Sequence, residues 1–296
     1  MPDSLAQFRF GMSAPAAAGV DAVVDMAVRA EHAGFDTVTV PDLPGFPSPL
    51  ITLTAAAWAT TAIHVGTFVL NTGLWNPDTI ARELATLDQA SDGRLEITLG
   101  SGIPQPALSG IIPADPQGRF ERLRATVEAV KSALVSPGLA PAFTGRPRLL
   151  IAGGADRTLR LAAAEADGFI IASVPPVPKI KLPPGQLVLP EPAAAEAFLA
   201  RLHGYAGERA SRLEVGTGAE VIVTDDAQAA AERLAGIHAY LTPEQILASP
   251  KILIGTLDEI AAQILDRGQR LGLTYYVLRG APPEDLAALI TRVRAG

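Results

Sequence analysis

The stretch between residues 63 and 102 constrains the fold of this chain more than any other part of the sequence. It opens with His64 to Leu70, a run rich in β-branched and aromatic residues that is typical of a buried strand. Asn76 and Pro77 fit the N-cap and the first position of a helix, and Leu95 to Leu99 predicts a second strand that ends directly in glycines. A strand–helix–strand unit of this kind favours a parallel sheet, in which ligands bind at the carboxyl ends of the strands.

The same alternation of strands and helices runs along the chain of 296 residues. The predicted strands are Phe8–Met12, Thr37–Val40, His64–Leu70, Leu95–Leu99, Leu149–Ala152, Phe169–Ala172, one within Glu214–Val223, and Thr274–Leu278. This pattern predicts an α/β fold, a (β/α)8 TIM barrel with loop insertions, as one domain over residues 1–296. The alternative is an open doubly wound sheet, but residues 11–19 lack the G-x-G-x-x-G pattern expected after its first strand.

Three proline-rich segments separate elements of this pattern, at residues 41–47, 103–117 and 173–190. Loops of this kind at strand ends often line binding sites. We interpret the longest, residues 173–190, as a surface loop or lid rather than a domain linker, because the β–α alternation resumes on both sides of it.

Composition and charge exclude several classes of protein. With 24 basic and 31 acidic residues the chain has a formal charge of −7, which argues against a general nucleic-acid binder. It has no cysteine, so a disulfide framework and a thiolate nucleophile are excluded, and its four histidines lack metal-ligand spacing. Neither a signal peptide nor a membrane span is recognisable. We therefore expect a soluble cytoplasmic protein that binds no metal, nucleic acid or membrane.

Four stretches, in this order and spacing, resemble the bacterial luciferase-like oxidoreductases. They are GFDTVTVPD (residues 34–42), VGTFVLNTGLWNPDTIARELATLDQASDGRLEITLGSG (65–102), IAGGADRTLRLAAAEADGF (151–169) and ILIGTLDEIAAQI (252–264). The run LTPEQILASPKILIGT followed by TYYV resembles most the branch that uses the deazaflavin coenzyme F420. The resemblance implies a TIM barrel, which agrees with the strand count, and a flavin or deazaflavin in the mouth of the barrel.

The resemblance also implies which residues hold the cofactor. In the deazaflavin branch a non-prolyl cis peptide in the third strand lies behind the cofactor ring, and the aligned bond is Phe68–Val69. The implied cofactor-binding positions at the other strand ends are Asn71, Thr72, Gly100, Ser101, Gly102, and the phosphate loop Ala152, Gly153, Gly154, Ala155. Physical reasoning supports the phosphate loop, because glycines permit close approach and a helix capped by Asp156 would direct its positive end toward the mouth.

The chain departs from the family pattern at two positions that matter for chemistry. Leu43 follows Asp42 where many members have histidine, and Ile103 stands where the sugar-phosphate dehydrogenases of the family have glutamate. Oxidation of a sugar phosphate is therefore not expected. Asp42 remains the catalytic candidate, with a role in capping the following loop as the alternative. The substrate-facing residues are expected to be Leu43, Phe46, Trp75 and Ile103, all apolar or aromatic.

These features lead to three hypotheses about function. The first is an F420-dependent oxidoreductase that transfers a hydride between the deazaflavin and a small, apolar organic substrate. The second is an FMN-dependent monooxygenase, which would need a flavin reductase as partner. The third is a degenerate relative that binds a cofactor without catalysis, which the losses at Leu43 and Ile103 favour. Because family members are commonly dimers, a homodimer is expected in each case.

Overall fold

Most of the described strands are four to seven residues long. The computed structural model describes residues 8–15, 18–103, 105–136, 138–172, 174 and 188–296. The strands within this part of the chain are β1 (Arg9–Ser13), β2 (Thr37–Val40), β3 (His64–Thr67), β4 (Leu70–Asn71), β5 (Leu95–Gly100), β6 (Arg148–Gly153), β7 (Gly168–Ile171), β8 (Glu214–Val223), β9 (Ile252–Gly255) and β10 (Leu273–Arg279).

Helices follow most of these strands, and several of them begin at a side-chain cap. They are α1 (Val20–His32), α2 (Pro49–Ala59), α3 (Pro77–Ala90), α4 (Pro116–Val135), α5 (Asp156–Glu165), α6 (Pro192–Ala206), α7 (Ala227–Ile237), α8 (Pro243–Ala248), α9 (Leu257–Leu271) and α10 (Pro283–Ala295). As predicted, Asn76 caps α3, because its side chain accepts hydrogen bonds from the backbone N–H groups of Asp78 and Thr79.

Eight strands close into a barrel. Neighbouring strands follow the order β10, β1, β2, β3, β5, β6, β7, β8, and β8 pairs in turn with β10. All of these pairings are parallel. The predicted (β/α)8 TIM barrel is therefore confirmed. The strand predicted at His64–Leu70 is divided, since β3 pairs with β2 and the start of β5, whereas β4 pairs with the end of β5.

One strand, β9, was not predicted from the sequence. It pairs with residues 220–223, the end of β8 that extends beyond its pairing with β7. The apolar run that forms it has only four residues and precedes a helix, so periodicity alone could not distinguish it from part of that helix. Because β9 lies beyond the carboxyl end of β7, the residues that begin it stand at the level of the barrel mouth.

Alternate residues of each strand face the barrel interior and the helices. The interior holds an apolar cluster of Leu150, Ala152, Ile170, Tyr275 and Val277. The opposite faces of the strands pack with the helices in a larger cluster that includes Tyr276. As alternation requires, one residue of the Tyr275–Tyr276 pair faces inward and the other outward.

Charged side chains fill the amino-terminal end of the barrel. The guanidinium group of Arg9 lies 2.5 Å from Glu96 and 2.9 Å from Glu214. Arg148 also pairs with Glu214 at 2.9 Å, and the Tyr275 hydroxyl donates to Glu96 at 2.6 Å. We call these five residues the barrel floor. Two cations offset two anions there, so the buried charges are paired, as low-dielectric surroundings require.

Two further predictions from the sequence concern the long proline-rich loop and membrane-spanning segments. The loop predicted at residues 173–190 falls almost entirely outside the described residues. Within the described part of the chain, no helix is both long and apolar enough to cross a lipid bilayer.

Candidate active site

The carboxyl ends of the strands meet at one end of the barrel, which we call the mouth. The bond between Phe68 and Val69 is cis, as the resemblance implies. Both side chains pack against the apolar cluster of the barrel interior. A Cβ atom at Gly100 would lie 2.8 Å from Val69 Cγ1, and one at Gly218 would lie 3.2 Å from Phe68 Cε1. Glycine at these two positions therefore leaves room for the two side chains.

A second set of predicted residues connects the ends of β4 and β5. The Thr72 hydroxyl donates to the carbonyl of Gly100 at 3.0 Å, and the Asn71 side chain accepts from Gly73 N–H at 3.1 Å. Gly102 has a φ of +77°, and a Cβ atom there would lie 2.1 Å from the Asn71 side-chain oxygen. Only glycine fits at this position. The structure thus brings Asn71, Thr72, Gly100 and Gly102 together, with Ser101 half-buried between the two glycines.

Asp42, the catalytic candidate, is buried beside these residues. Its carboxylate accepts a hydrogen bond from the Trp75 indole N–H at 2.8 Å and another from Asn71 N–H at 3.1 Å. Burial raises the pKa of Asp42, and the two donated hydrogen bonds oppose that shift. The carboxyl group therefore connects the end of β2 to the indole of Trp75, a role that the sequence pattern did not reveal.

The other expected substrate-facing residues lie on loops at the rim of the mouth. Leu43 and Ile103 are 41% and 68% exposed. Phe46 is half-buried, and its backbone N–H donates to the carbonyl of Leu43 in a turn. Trp75 is half-buried against the outer core, and its carbonyl accepts from Arg122. The rim on this side is therefore apolar, with Asp42 as the buried carboxyl beneath it.

The predicted phosphate loop joins β6 to α5. Ala152 is buried in the barrel interior, whereas Gly153 and Gly154 are half-buried and Ala155 is exposed. A Cβ atom at Gly153 would lie 2.6 Å from Thr158 Cγ2. This glycine is therefore required for close packing of β6 on α5, whatever else it does.

The prediction that Asp156 caps α5 was wrong. The N-cap is Ala155, which offers no side-chain acceptor, and Asp156 is the first helical residue. The Asp156 carboxylate instead accepts hydrogen bonds from the Tyr205 hydroxyl at 2.6 Å and from Arg160 at 3.0 Å. Because no side chain caps α5, its first N–H groups form the type of helix terminus that binds anions.

Lys251 is a mouth residue that the sequence reasoning missed. Its side chain is buried, and its ammonium group donates to the carbonyl of Ala172 at 2.7 Å. Ala172 N–H in turn donates to the carbonyl of Gly153. Burial, with a smaller contribution from the nearby Arg279, lowers the pKa of Lys251 to about 8. Recognition of Ile252–Gly255 as a strand would not have been enough, because only its pairing with the end of β8 puts its first residues at the level of the mouth.

Metal binding has no support in the described part of the chain, where no group of three or more His, Cys, Asp or Glu residues could hold an ion. The first residue of β3, His64, lies at the amino-terminal end of the barrel, opposite the mouth. Among the described residues at the mouth, Asp42 and Lys251 are buried titratable side chains.

Comparison with known proteins identifies relatives of this chain. A family model described as luciferase-like monooxygenase matches residues 3–263. An F420-dependent glucose-6-phosphate dehydrogenase from Amycolatopsis mediterranei is 32% identical over 178 residues, which cover 51% of this chain and 53% of the relative. The match thus spans about half the length of that relative.

Two solved structures share the fold over nearly the whole chain. One is an F420-dependent secondary alcohol dehydrogenase in complex with an F420–acetone adduct, with a TM-score of 0.73, 19% identity, and coverage of 97% of this chain and 99% of the other. The second is the oxygenating constituent of 3,6-diketocamphane monooxygenase from Pseudomonas putida, in complex with FMN. Its TM-score is 0.68 at 15% identity, with coverage of 97% and 96%. At these identities the likeness concerns the fold.

Proposed function

Because the chain belongs to the luciferase-like monooxygenase family, we propose that this oxidoreductase uses coenzyme F420 to transfer a hydride to or from a small, apolar organic substrate. One observation carries the proposal. The apolar side chains of Phe68 and Val69 lie at the same mouth as the N-terminus of α5, which no side chain caps. A flat cofactor with a phosphate needs both features. The curated relative supports the deazaflavin, since its name states F420 dependence.

The residues of the mouth fit such a group. Phe68 and Val69 would support one face of the ring, and the missing side chains of Gly100 and Gly102 leave room for Val69 and Asn71 beside it. The N–H groups that begin α5, at Ala155 and beyond, would hold the phosphate. When bound, the deazaflavin would supply the hydride chemistry. The protein would then contribute the orientation of the ring and the exclusion of water.

Two side chains at the mouth can accept or donate protons. Burial raises the pKa of Asp42 and lowers the pKa of Lys251, so both shift toward neutrality. Asp42 lies beneath the Trp75 indole, next to the apolar rim where the substrate would bind. We propose that its carboxyl group holds or releases the proton that accompanies hydride transfer, and that Trp75, Leu43, Phe46 and Ile103 select an apolar substrate.

The activity in the curated relative's name is not carried over. That protein is named for glucose 6-phosphate, but the family resemblance connects such chemistry with a histidine and a glutamate where this chain has Leu43 and Ile103. The apolar rim gives a sugar hydroxyl few partners, and burying such a group without hydrogen bonds is costly. An apolar substrate fits this rim better.

An FMN-dependent monooxygenase is the second candidate. The family model and the FMN-bound neighbour favour it. The side chains of Phe68 and Val69 and the N-terminus of α5 would also suit FMN. This alternative would require a partner reductase to supply reduced flavin.

Titration of the purified protein with each cofactor tests the proposal. F420 and FMN are added separately and followed by absorbance and fluorescence. We expect saturable binding of F420 that is at least about tenfold tighter than that of FMN, a difference of about 1.4 kcal/mol. Preferential binding of FMN would support the monooxygenase, and binding of neither would contradict both.

A further inference from the structure

The ammonium group of Lys251 is buried against the residue that follows β7. It donates a hydrogen bond to the carbonyl of Ala172 at 2.7 Å, and the side chain is nearly inaccessible to solvent. The backbone at this position is held as well, because the carbonyl of Lys251 accepts a hydrogen bond from Glu220 N–H of β8 at 3.1 Å. Lys251 therefore joins the end of β7 to the part of β8 that extends beyond it.

Ala172 connects Lys251 to the phosphate loop, residues 152–155. The N–H group of Ala172 donates to the carbonyl of Gly153 at 3.2 Å, and the loop leads directly into the start of α5. Two hydrogen bonds, with one residue between them, thus link the ammonium group to the backbone of this loop. A change at Lys251 can therefore alter the position of the N–H groups that would hold a phosphate.

Within the described part of the chain, Lys251 has no carboxylate partner. No ion pair there includes it, and the charged group that acts on its ammonium is the guanidinium of Arg279, which has the same sign. Arg279 itself lies 3.0 Å from Glu220. At the barrel floor, by contrast, Arg9 faces two carboxylates. The mouth thus contains a buried positive charge whose anion the described residues do not supply.

The contact with a carbonyl alone does not explain why this position carries a charge. A neutral donor of similar length would satisfy the oxygen of Ala172, and burying an ammonium group instead is costly unless an anion offsets the charge. A phosphate at the start of α5 would be such an anion. The helix terminus and the ammonium group would then attract it together, because both place positive charge beside the same loop.

We propose that Lys251 positions the phosphate loop and supplies the counter-charge for the cofactor phosphate. This role rests on the proposed function, since it requires a phosphorylated cofactor at the mouth. A side chain far from the loop in the sequence would then determine how much the phosphate contributes to binding. Loss of Lys251 should weaken the binding of cofactors that carry the phosphate and spare those that lack it.

Titration of three proteins with matched cofactor pairs tests this role. The proteins are the wild type, Lys251→Met, and the control Lys131→Met, which removes a charge from an exposed ion pair. One pair is FMN and riboflavin, which differ only in the phosphate. The other is F420 and its deazaflavin chromophore without the phosphate tail. The quantity compared is the dissociation constant without phosphate divided by that with phosphate, in the pair that the wild type binds.

We expect this ratio to fall at least about tenfold in Lys251→Met and to change less than about twofold in Lys131→Met. An unchanged ratio in Lys251→Met, or an equal loss of affinity for both members of the pair, would overturn the role of Lys251 and leave the proposed function standing. A wild type that binds no member of either pair would overturn the proposed function and this role with it.

Hydrogen exchange of the cofactor-free proteins gives an independent test of the positioning. Because Ala172 N–H is bonded to the carbonyl of Gly153, we expect it to exchange faster in Lys251→Met than in the wild type, with no change in Lys131→Met. Methionine keeps the length of the side chain, so both variants should be folded, which far-UV circular dichroism verifies. Equal exchange at Ala172 in all three proteins would overturn the positioning role.

Discussion

At the scale of single residues, the hydrogen bond between Asp42 and Trp75 offers a spectroscopic test of the mouth. The chain has two tryptophans, so Trp58→Phe leaves Trp75 as the sole indole emitter. Since burial raises the pKa of Asp42, we expect Trp75 emission to titrate with a midpoint above the usual aspartate value of about 3.9.

Addition of Asp42→Asn should abolish this titration, because asparagine still accepts the indole hydrogen bond but does not ionise. Far-UV circular dichroism over the same pH range would show whether the fold is kept. A midpoint at or below about 3.9, or an unchanged profile in the asparagine variant, would contradict the assignment.

Ala155 offers the sharpest test of the phosphate site. Asp at this N-cap position should stabilise α5 by up to about 1 kcal/mol, because it would supply the missing side-chain acceptor. The same carboxylate would repel a phosphate, so we expect cofactor affinity to fall at least about tenfold. Urea unfolding measures the first effect and cofactor titration the second.

Ala155→Ser is the matched control, since it can cap α5 without adding charge. It should gain similar stability and lose much less affinity. A bulky residue at Gly153 would be a poorer test, because its Cβ atom would collide with Thr158 and disturb α5. Unchanged affinity in Ala155→Asp would refute the phosphate assignment while leaving the fold assignment intact.

At the scale of elements, the junction between β9 and the end of β8 buries Lys251. Its folded pKa of about 8 lies below the ordinary lysine value of 10.5, so between these values the unfolded chain binds more protons than the folded one. The stability of the wild type should therefore rise between about pH 8 and pH 10.5, by up to about 3 kcal/mol.

Lys251→Met keeps the length of the side chain and removes the charge. The rise in stability attributable to Lys251 should be absent from the Lys251→Met variant. The free energy of unfolding of this variant should therefore exceed that of the wild type most below about pH 8. Lys131→Met, at an exposed ion pair with Glu165, is the control. Urea unfolding at several pH values measures this difference. If stability changed with pH in parallel for the wild type and Lys251→Met, the assignment of a buried ammonium group to Lys251 would be contradicted.

At the scale of the whole molecule, the residues expected to stabilise the barrel and those proposed to bind the cofactor lie at opposite ends of it. The floor holds paired charges, the middle is apolar, and the mouth carries the proposed cofactor site. We expect Glu96→Gln to cost about 3 kcal/mol of unfolding free energy, since it leaves Arg9 with one carboxylate fewer in a buried network. Cofactor affinity should be nearly unchanged.

Glu165→Gln, which breaks the exposed pair with Lys131, should cost less than about 1 kcal/mol. Chemical denaturation and cofactor titration of both variants test this separation. Equal destabilisation by the two substitutions would contradict the stabilising role of the barrel floor, and a large loss of cofactor affinity in Glu96→Gln would show that the two ends are coupled.

Much of this architecture could be predicted from the sequence, because it depends on local patterns. Apolar runs with β-branched residues specify the barrel strands, and Asn76 with Pro77 specifies the start of α3. The residues of the mouth follow from the rule that ligands bind at the carboxyl ends of parallel strands. The order of strands along the chain therefore placed Asp42, Asn71, Gly100 and Gly153 at one end.

Only the tertiary structure decided how these residues meet. The Asp42–Trp75 hydrogen bond and the contact of Lys251 with Ala172 each join segments that are far apart in the chain. The start of α5 is uncapped because the Asp156 side chain finds its partner elsewhere, at Tyr205. Asp156 shows why: its type and position predict a cap, but Tyr205 and Arg160 compete for its carboxylate. Local propensity determines where strands and helices form, whereas contacts between distant residues determine which atoms face the mouth and which face solvent.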